Sequence, residues 1–353
     1  MDALLKLALT NAIVASVLAL IVWLISKVCR RPALIHGLWV LVLLKLVTPP
    51  LIDLPIVTSQ APPPQTMPLP LVDLESLPPL PVEVTPVPEP SWGLTGILLS
   101  LWVGGSLLIA VGSLFQILRF RRLLGLASPA TDELFQEADR LAQKLGIGSR
   151  LCLWFTAGRT SPLVWAWGWK AHIVLPRSLF ESLSWDQQRS LLAHELAHLR
   201  RRDHWIRLLE LFVVLLFWWH PVVWWARRQL QQAEEQCCDG WVVRLLPECV
   251  KDYALALVQA LEHLSGTRPT VPMGASGIGS VPLLKQRVTW IMKGSTMNRL
   301  TWWSGLALLS FAVLLLPVVP SLADERPERP KKKEGDRPEN NKLREALERA
   351  EKL

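Results

Sequence analysis

Two histidines and a glutamate in the segment LLAHELAHLRRRDH, residues 191–204, have the types and the spacing for metal-dependent hydrolysis. On a helix, His194 and His198 lie one turn apart on one face, with Cα atoms separated by about 6 Å along the axis. Both imidazoles can therefore reach a single zinc ion. Glu195 lies beside them, where it can take a proton from a water molecule at that metal. The pattern predicts a zinc-dependent peptidase site.

A catalytic zinc site of this kind needs a third protein ligand, and a downstream segment supplies candidates. In AEEQCCDG, Glu235 and Asp239 are four residues apart and share one helical face, so they can act as metal ligand and neighbouring carboxylate. Glu234 is an alternative ligand. Cys237 and Cys238 could form a closed thiolate site, although they lack CxxC spacing and a matching pair. The remaining interpretation is that the glutamates form a solvated helix face.

The composition indicates a membrane protein. Half of the 353 residues are hydrophobic, 18 are tryptophan, and several long segments carry almost no charge. Runs long enough to cross a hydrocarbon core of roughly 30 Å predict about four transmembrane helices, two of them within residues 1–52. The expected spans are residues 7–26, 33–52, 92–118 and 300–323.

The charges of the loops predict the orientation, because Lys and Arg near membrane ends collect on the cytoplasmic side. Basic residues follow the first and third spans, whereas residues 53–91 carry five carboxylates and neither lysine nor arginine. We therefore expect the N-terminus and residues 53–91 to lie outside. The same segment has 12 prolines between Pro55 and Pro90, which predicts an extended linker. Residues 119–298 should then form a cytoplasmic peptidase domain.

Residues 206–226, between the two halves of the metal site, are apolar enough to suggest a further crossing. A single crossing would place Glu235 on the opposite side of the membrane from His194, and the site could not assemble. Arginines mark the cytoplasmic side both before and after this segment. We expect it to enter the membrane and return, or to lie in the interface, with a helix break near His220 and Pro221.

Local patterns around the motif predict an α+β domain. Thr131 and Gly146 delimit an amphipathic helix, and Ser184 with Gln187 forms a capping box at the start of the motif helix. Between these helices, RLCLWFT and VWAWGWKAHIVLP are typical of strands. The AHIVLP part could align a substrate by edge pairing. Residues 240–298 predict supporting helices without visible chemistry.

Charges outside the motif indicate contact with lipid. The net charge of +8 arises from basic residues concentrated at membrane boundaries, where anionic lipid explains them, so direct binding of nucleic acid is not expected. Residues 324–353 mix both signs of charge and are expected to be a disordered tail on the outer side.

The chain resembles the BlaR/MecR-type membrane zinc metallopeptidases, the bacterial antirepressors that sense β-lactams. The resemblance covers roughly residues 1–323 and rests on HGLWVLVLLKLVTPP, SPLVWAWGWKAHIVLP, HELAHLRRRDH, WWHPVVWWARRQLQQAEEQCCD and the last apolar segment. One departure is important. The antirepressors carry a penicillin-binding domain with an S-x-x-K motif after the last span, whereas 30 residues follow Ala323 here, so no β-lactam sensor is expected.

The resemblance implies a predominantly α-helical membrane protein with a zincin-like α+β peptidase domain and one catalytic zinc ion. It assigns His194, His198 and Glu235 as zinc ligands, Glu195 as general base, and Asp239 as a neighbouring acid.

The leading hypothesis is a multi-pass zinc endopeptidase of the bacterial cytoplasmic membrane, with a cytoplasmic active site and a protein substrate such as a cytosolic repressor. A quality-control peptidase for membrane proteins would use the same site. A signalling scaffold that binds zinc without cleaving anything is the alternative from another class. The presence of Glu195 favours an enzyme, because a scaffold has no need of a general base.

Overall fold

The structure is a computed structural model that describes most of the chain. The predicted tail, residues 324–353, and most of the predicted linker, residues 58–91, lie outside the described residues. The described residues are 2–29, 31–48, 52–57, 93–148, 151–158, 160–167, 170–264, 281–293, 302–315 and 318–322.

Helices dominate the described residues and a small sheet accompanies them, which is the coarse fold class expected from the sequence. The helices are α1 (Asp2–Val28), α2 (Pro32–Val47), α3 (Leu94–Gly125), α4 (Asp132–Leu145), α5 (Arg177–Ser182), α6 (Trp185–Arg201), α7 (Asp203–Phe217), α8 (Pro221–Leu245), α9 (Val250–Leu264), α10 (Val281–Met292) and α11 (Trp302–Leu315). The strands are β1 (Ile52–Val57), β2 (Ser128–Pro129), β3 (Leu151–Thr156), β4 (Leu163–Trp167), β5 (Lys170–Pro176) and β6 (Val318–Leu322).

Two helices of the described residues are long and apolar enough to cross a membrane, Ala8–Val28 within α1 and Gly96–Gly125 within α3. At about 1.5 Å per residue, α2 and α11 are only about 24 and 21 Å long, less than a hydrocarbon core of roughly 30 Å. The expectation of four membrane-spanning helices is therefore supported for two of them. The helix expected over residues 300–323 ends at Leu315, and strand β6 lies within the same range.

The chain divides into two compact units. The larger comprises residues 1–52 and 74–319 and holds every described helix. The smaller comprises residues 53–73 and 320–353. It is described only where β1 and β6 lie, and these two strands pair with each other. The predicted linker therefore begins with a strand.

A four-stranded sheet of order β2-β3-β5-β4 lies beside α6. β3 and β5 are parallel, whereas β2 and β4 are antiparallel to their neighbours. The stretch VWAWGWKAHIVLP forms two antiparallel strands rather than one, with Trp167 paired to Lys170. β5 is paired on both sides, so the expected edge pairing of a substrate with AHIVLP is wrong. The edge strands are β2 and β4, and β4 packs against α6.

The helix that carries the HELAH motif begins as the sequence predicts. Gln187 Oε1 accepts from the backbone N–H of Ser184 at 2.9 Å, and the Ser184 hydroxyl accepts from the backbone N–H of Gln187 at 3.5 Å. α6 packs against α4, α8 and α9. Leu192 and Leu196 are fully buried in this core, and each such side chain stabilises the fold by about 2 kcal/mol. Packing on several sides therefore holds the motif helix in place.

α7 and α8 form a helical hairpin that reverses the chain. α7 ends at Phe217, and α8 begins at Pro221, a residue suited to the first helical position because that position needs no N–H. The side chain of His220 caps α8 by accepting a backbone hydrogen bond at 3.1 Å. The reversal lies within residues 206–226, where the sequence analysis expected a return. It brings Glu235 back to α6.

Polar groups of α1 and α3 satisfy those at the turn of this hairpin. Trp102 Nε1 and Ser106 Oγ of α3 donate to backbone carbonyls near the end of α7, both at 2.6 Å. His220 Nε2 lies 3.2 Å from a backbone carbonyl of α1. Gly105 lets α3 approach closely, because a Cβ there would collide with the ring of Trp218. Helix ends that are shielded from water need such partners.

A buried ion-pair network joins α7 to α8 below the turn. Arg207 Nη1 donates to Glu210 Oε1 and Oε2 at 3.2 and 3.1 Å, and Arg227 Nε donates to Glu210 Oε2 at 3.3 Å. Arg207 also donates to Glu234. Both carboxylates are fully buried, and each has a guanidinium partner. Removing one member therefore leaves a buried charge without its counter-charge.

We expect Glu210→Gln to lower the free energy of unfolding by about 3 kcal/mol, because Arg207 and Arg227 lose a buried counter-charge. Denaturant unfolding of the purified chain in detergent measures this change. Glu181→Gln is the control, since its exposed carboxylate lies 3.8 Å from Arg177 and such surface pairs contribute little. Equal effects of the two substitutions would contradict a stabilising role of the network.

Candidate metal centre

His194 and His198 present their Nε2 atoms to one carboxylate from α8. His194 Nε2 lies 3.3 Å from Glu235 Oε2, and His198 Nε2 lies 3.7 Å from Glu235 Oε1. The two rings are nearly perpendicular, and their centroids are 4.9 Å apart. Both histidines are buried, and the Glu235 side chain is only 14% exposed. The structure thus brings together the three residues that the sequence analysis expected to ligate a metal.

This set of donor atoms fits a zinc ion. Two atoms that each bind a tetrahedral zinc at about 2.0–2.1 Å lie roughly 3.3 Å apart. The two separations between histidine nitrogens and Glu235 oxygens, 3.3 and 3.7 Å, are close to that value. One ligand atom from each residue lies within 4.8 Å of the other two. Two imidazoles and one carboxylate form a three-ligand set of the kind that leaves a fourth position for water or substrate.

Tyr253 from α9 orients His194. Its hydroxyl lies 2.8 Å from His194 Nδ1 and donates to Asp239 Oδ1 at 2.5 Å. Because the hydroxyl proton goes to the carboxylate, the hydroxyl oxygen accepts from Nδ1–H, and the Nε2 lone pair is left for a metal. Asp239, the expected neighbouring acid, therefore acts on His194 through this tyrosine, and its own oxygen is 3.5 Å from Nδ1.

Asp203 orients His198 in the same way. Its Oδ2 accepts from His198 Nδ1 at 2.8 Å, and Arg201 Nε donates to both oxygens of Asp203 at 3.2 and 3.3 Å. Asp203 reaches this position because Arg202 is left-handed, with φ 60°, so that α7 starts directly after α6. Such a conformation costs a non-glycine residue roughly 1–2 kcal/mol. Both imidazoles are therefore fixed with Nε2 towards Glu235.

Arg287 from α10 binds both acidic residues of the site on α8. Its Nη1 lies 2.8 Å from Glu235 Oε2, while Nε and Nη2 donate to Asp239 Oδ2 and Oδ1 at 3.0 and 2.7 Å. Burial alone would raise the pKa of Glu235, but Arg287 and the two histidines outweigh it and hold the pKa well below its usual range. Glu235 thus remains a carboxylate, the form that a metal requires.

Tyr253 and Arg287 lie in the segment 240–298, where the sequence analysis expected helices without chemistry, and that expectation is wrong for both. Neither belongs to a recognisable motif, and the contact partners are 59 residues apart for Tyr253 with His194 and 48 for Arg287 with Asp239. One available signal was that Tyr253 is the single tyrosine of the chain. Asp203 carried a local signal, since it directly follows the motif helix.

Glu195 lies beside the three candidate ligands and is buried, and its Oε2 forms no hydrogen bond with any described residue. Burial raises the pKa of this carboxyl group, and the nearby His194 and His198 partly oppose that effect. A carboxylate with a raised pKa is a stronger base than an ordinary one, which helps it to accept a proton. The free oxygen and the raised pKa suit the role of general base that the sequence analysis assigned to Glu195.

The alternative ligands on α8 face other partners. Glu234 belongs to the ion-pair network, and its Oε1 lies 3.6 Å from His36 Nε2 of α2. Burial raises the pKa of Cys237 to about 11 and that of Cys238 to about 12, so both thiols stay protonated at neutral pH. Cys238 Sγ lies 3.4 Å from Nδ1 of His198, the ring nitrogen that also contacts an aspartate. His198, Asp203 and Cys238 have ligand atoms within 4.8 Å of one another, but Cys237 is not part of that group, so no site with both thiolates is assembled.

Comparison with known proteins identifies one family. The model of the family described as BlaR1 peptidase M56 matches residues 6–291, a range that includes every residue of the metal centre described above. No curated protein matches the chain. The family match confirms the resemblance drawn from the sequence motifs, and it extends over α1 to α10.

We expect the purified chain to hold about one zinc ion, which a chelator removes and which His198→Ala abolishes, because two remaining ligands bind zinc weakly. Metal analysis after gel filtration measures the content. His204→Ala is the matched control, since its ring contacts Trp205 and is not one of the three candidate ligands. Wild-type protein that stays metal-free in excess zinc would contradict the site.

We expect Tyr253→Phe to weaken zinc binding by about tenfold, because His194 loses the hydrogen bond that fixes its tautomer. Competition with a chromophoric chelator measures the affinity. Unfolding of the metal-free variant is the control for a general loss of stability. A folded variant with wild-type affinity would show that the tyrosine does not orient the ligand.

Proposed function

Because the chain belongs to the BlaR1 peptidase M56 family, we propose that it is a membrane-embedded zinc endopeptidase that hydrolyses peptide bonds at the cytoplasmic face, in regulated proteolysis. The family is one of membrane-associated metallopeptidases of signal transduction. The observation that carries the finer proposal is the buried cluster of His194, His198 and Glu235 with the unpaired oxygen of Glu195 beside it.

The proposed roles follow from what each side chain contacts. His194 and His198 would hold a zinc ion through Nε2, and Glu235 would hold it through one carboxylate oxygen. The chemistry that such an ion would supply is that of a Lewis acid toward water and the scissile carbonyl. Glu195 accepts the proton of the attacking water on its free oxygen and returns it to the leaving amine. Its raised pKa, caused by burial, suits both transfers.

The orientation of the site is proposed from charge and from the helical hairpin. Basic residues at the end of α3, among them Arg119, Arg121 and Arg122, favour a cytoplasmic location for the sheet and for α6. The turn between α7 and α8 contacts Trp102 and Ser106, which lie inside the apolar helix Gly96–Gly125. These contacts support a hairpin that enters the bilayer and returns, so that both halves of the site stay on the cytoplasmic side.

The proposed substrate is a cytosolic protein, such as a transcriptional repressor, that enters the site in extended form. The edge strand β4 supports this mode of binding, because it lies beside α6 and its outer edge pairs with no other strand of the described residues. An extended peptide can add to such an edge through main-chain hydrogen bonds. The scissile bond would then lie across the motif helix.

We expect Glu195→Gln to abolish proteolysis while zinc stays bound, because the substitution removes the base and keeps all three ligands. Mapping new protein N-termini across the proteome of cells that express the wild type or this variant measures cleavage directly. Glu181→Gln, an exposed carboxylate on α5, is the control and should behave as wild type.

The identity of the cleaved proteins distinguishes the possible roles. Cleavage of one or a few cytosolic proteins supports regulated proteolysis, whereas cleavage of many membrane proteins points to quality control. Identical profiles for the wild type and Glu195→Gln under several stresses would contradict the enzyme and favour a zinc-binding scaffold.

A further inference from the structure

We infer that Arg287 is a positioning residue that engages one oxygen of Glu235 and leaves the other to the metal. This inference rests on the proposed zinc site, and it assigns a function to α10, which contributes no metal ligand. The guanidinium contacts no candidate histidine ligand and acts through the two carboxylates of α8.

The geometry separates the two oxygens of Glu235. Oε2 lies 2.8 Å from Nη1 of Arg287 and 3.3 Å from His194 Nε2, whereas Oε1 lies 3.7 Å from His198 Nε2. A carboxylate with both oxygens free can bind a metal through two atoms and fill the position that substrate or water needs. When one oxygen is engaged by a close ion pair with a guanidinium, the other oxygen is the one left for a metal. A metal held through that one oxygen would keep its fourth position open.

The same guanidinium also fixes the carboxylate that orients His194. Nε and Nη2 of Arg287 bind the two oxygens of Asp239 in a bidentate manner, at 3.0 and 2.7 Å, and Nη2 lies 3.3 Å from the hydroxyl of Tyr253. Arg287 thereby fixes the position of Glu235 relative to Asp239 and Tyr253, the two residues that orient His194. Lysine cannot reproduce this, because an ammonium group lacks the planar fork.

Burial explains why a cation is needed at this point. Glu235 and Asp239 are one helical turn apart on α8, Asp239 is fully buried, and Arg287 itself is only 5% exposed. Two carboxylates at this spacing repel each other, and the repulsion grows as water is excluded. Among the described residues, Arg287 is the arginine that contacts both of them. Its charge keeps the pair together when the site is empty of metal.

Substitution of Arg287 tests the inference by metal binding, without any activity assay. The full chain in detergent is prepared as wild type, Arg287→Gln and Arg287→Lys, with Lys285→Gln as the matched control because Lys285 is an exposed cation on the same helix. Zinc affinity is measured by competition with a chelator. The visible absorption spectrum of the cobalt-loaded protein reports the number of ligand atoms.

We expect Arg287→Gln to weaken zinc binding by about 10- to 100-fold. We also expect a weaker visible absorption of bound cobalt, since the second oxygen of Glu235 becomes a ligand. Arg287→Lys should recover part of the affinity, because it retains the charge, but not the wild-type spectrum. Lys285→Gln should match the wild type in both measurements.

Three outcomes would overturn the inference. The first is wild-type affinity and spectrum in Arg287→Gln, and the second is an equal loss in Lys285→Gln. The third is failure of both Arg287 variants to fold without metal, which would make the residue a support of the fold rather than of the ligand. If the wild-type chain binds neither zinc nor cobalt, the proposed metal site itself is wrong. Failure of the metal site is therefore distinguishable from failure of the inference about Arg287.

Discussion

The metal centre depends on one constraint, that α8 must return to α6 after the apolar helix α7 has led the chain away. His194 and His198 lie before this excursion and Glu235 lies after it. The return requires a helix break in an apolar environment, where unpaired backbone groups are costly. Two side chains of α3 donate to carbonyls at the end of α7, and a backbone carbonyl of α1 pairs with the side chain of His220. The N-terminal helices therefore support the catalytic geometry.

Local sequence signals were sufficient to predict the structure wherever a residue interacts only with its near neighbours in the sequence. The capping box of Ser184 and Gln187 starts α6, Gly146 ends α4 in a left-handed conformation with φ 69°, and Pro221 starts α8. Each of these depends on hydrogen bonds within a few residues, so the sequence alone predicts it. The spacing of HELAH places both histidines on one face for the same reason, since a helix has one period.

Long-range contacts carried no comparable signal. Tyr253 and Arg287 reach the site because α9 and α10 pack against α6 and α8, and nothing in their own neighbourhoods marks them. The sheet illustrates a different limit. An apolar run whose composition favours strand throughout forms two antiparallel strands, and this pairing places β4 rather than β5 at an edge of the sheet. Pattern alone does not reveal where a strand turns.

Glu234 and Glu235 are consecutive residues whose side chains serve different purposes. One binds Arg207 and lies close to His36 of α2, whereas the other faces the two histidines of α6. Successive residues of a helix point about 100° apart, so a single rotational setting of α8 must satisfy both sets of partners at once. A rotation of α8 about its own axis would therefore change the contacts of Glu234 and those of Glu235 together. The angular position of this helix thus couples the packing of α2 to the integrity of the metal centre.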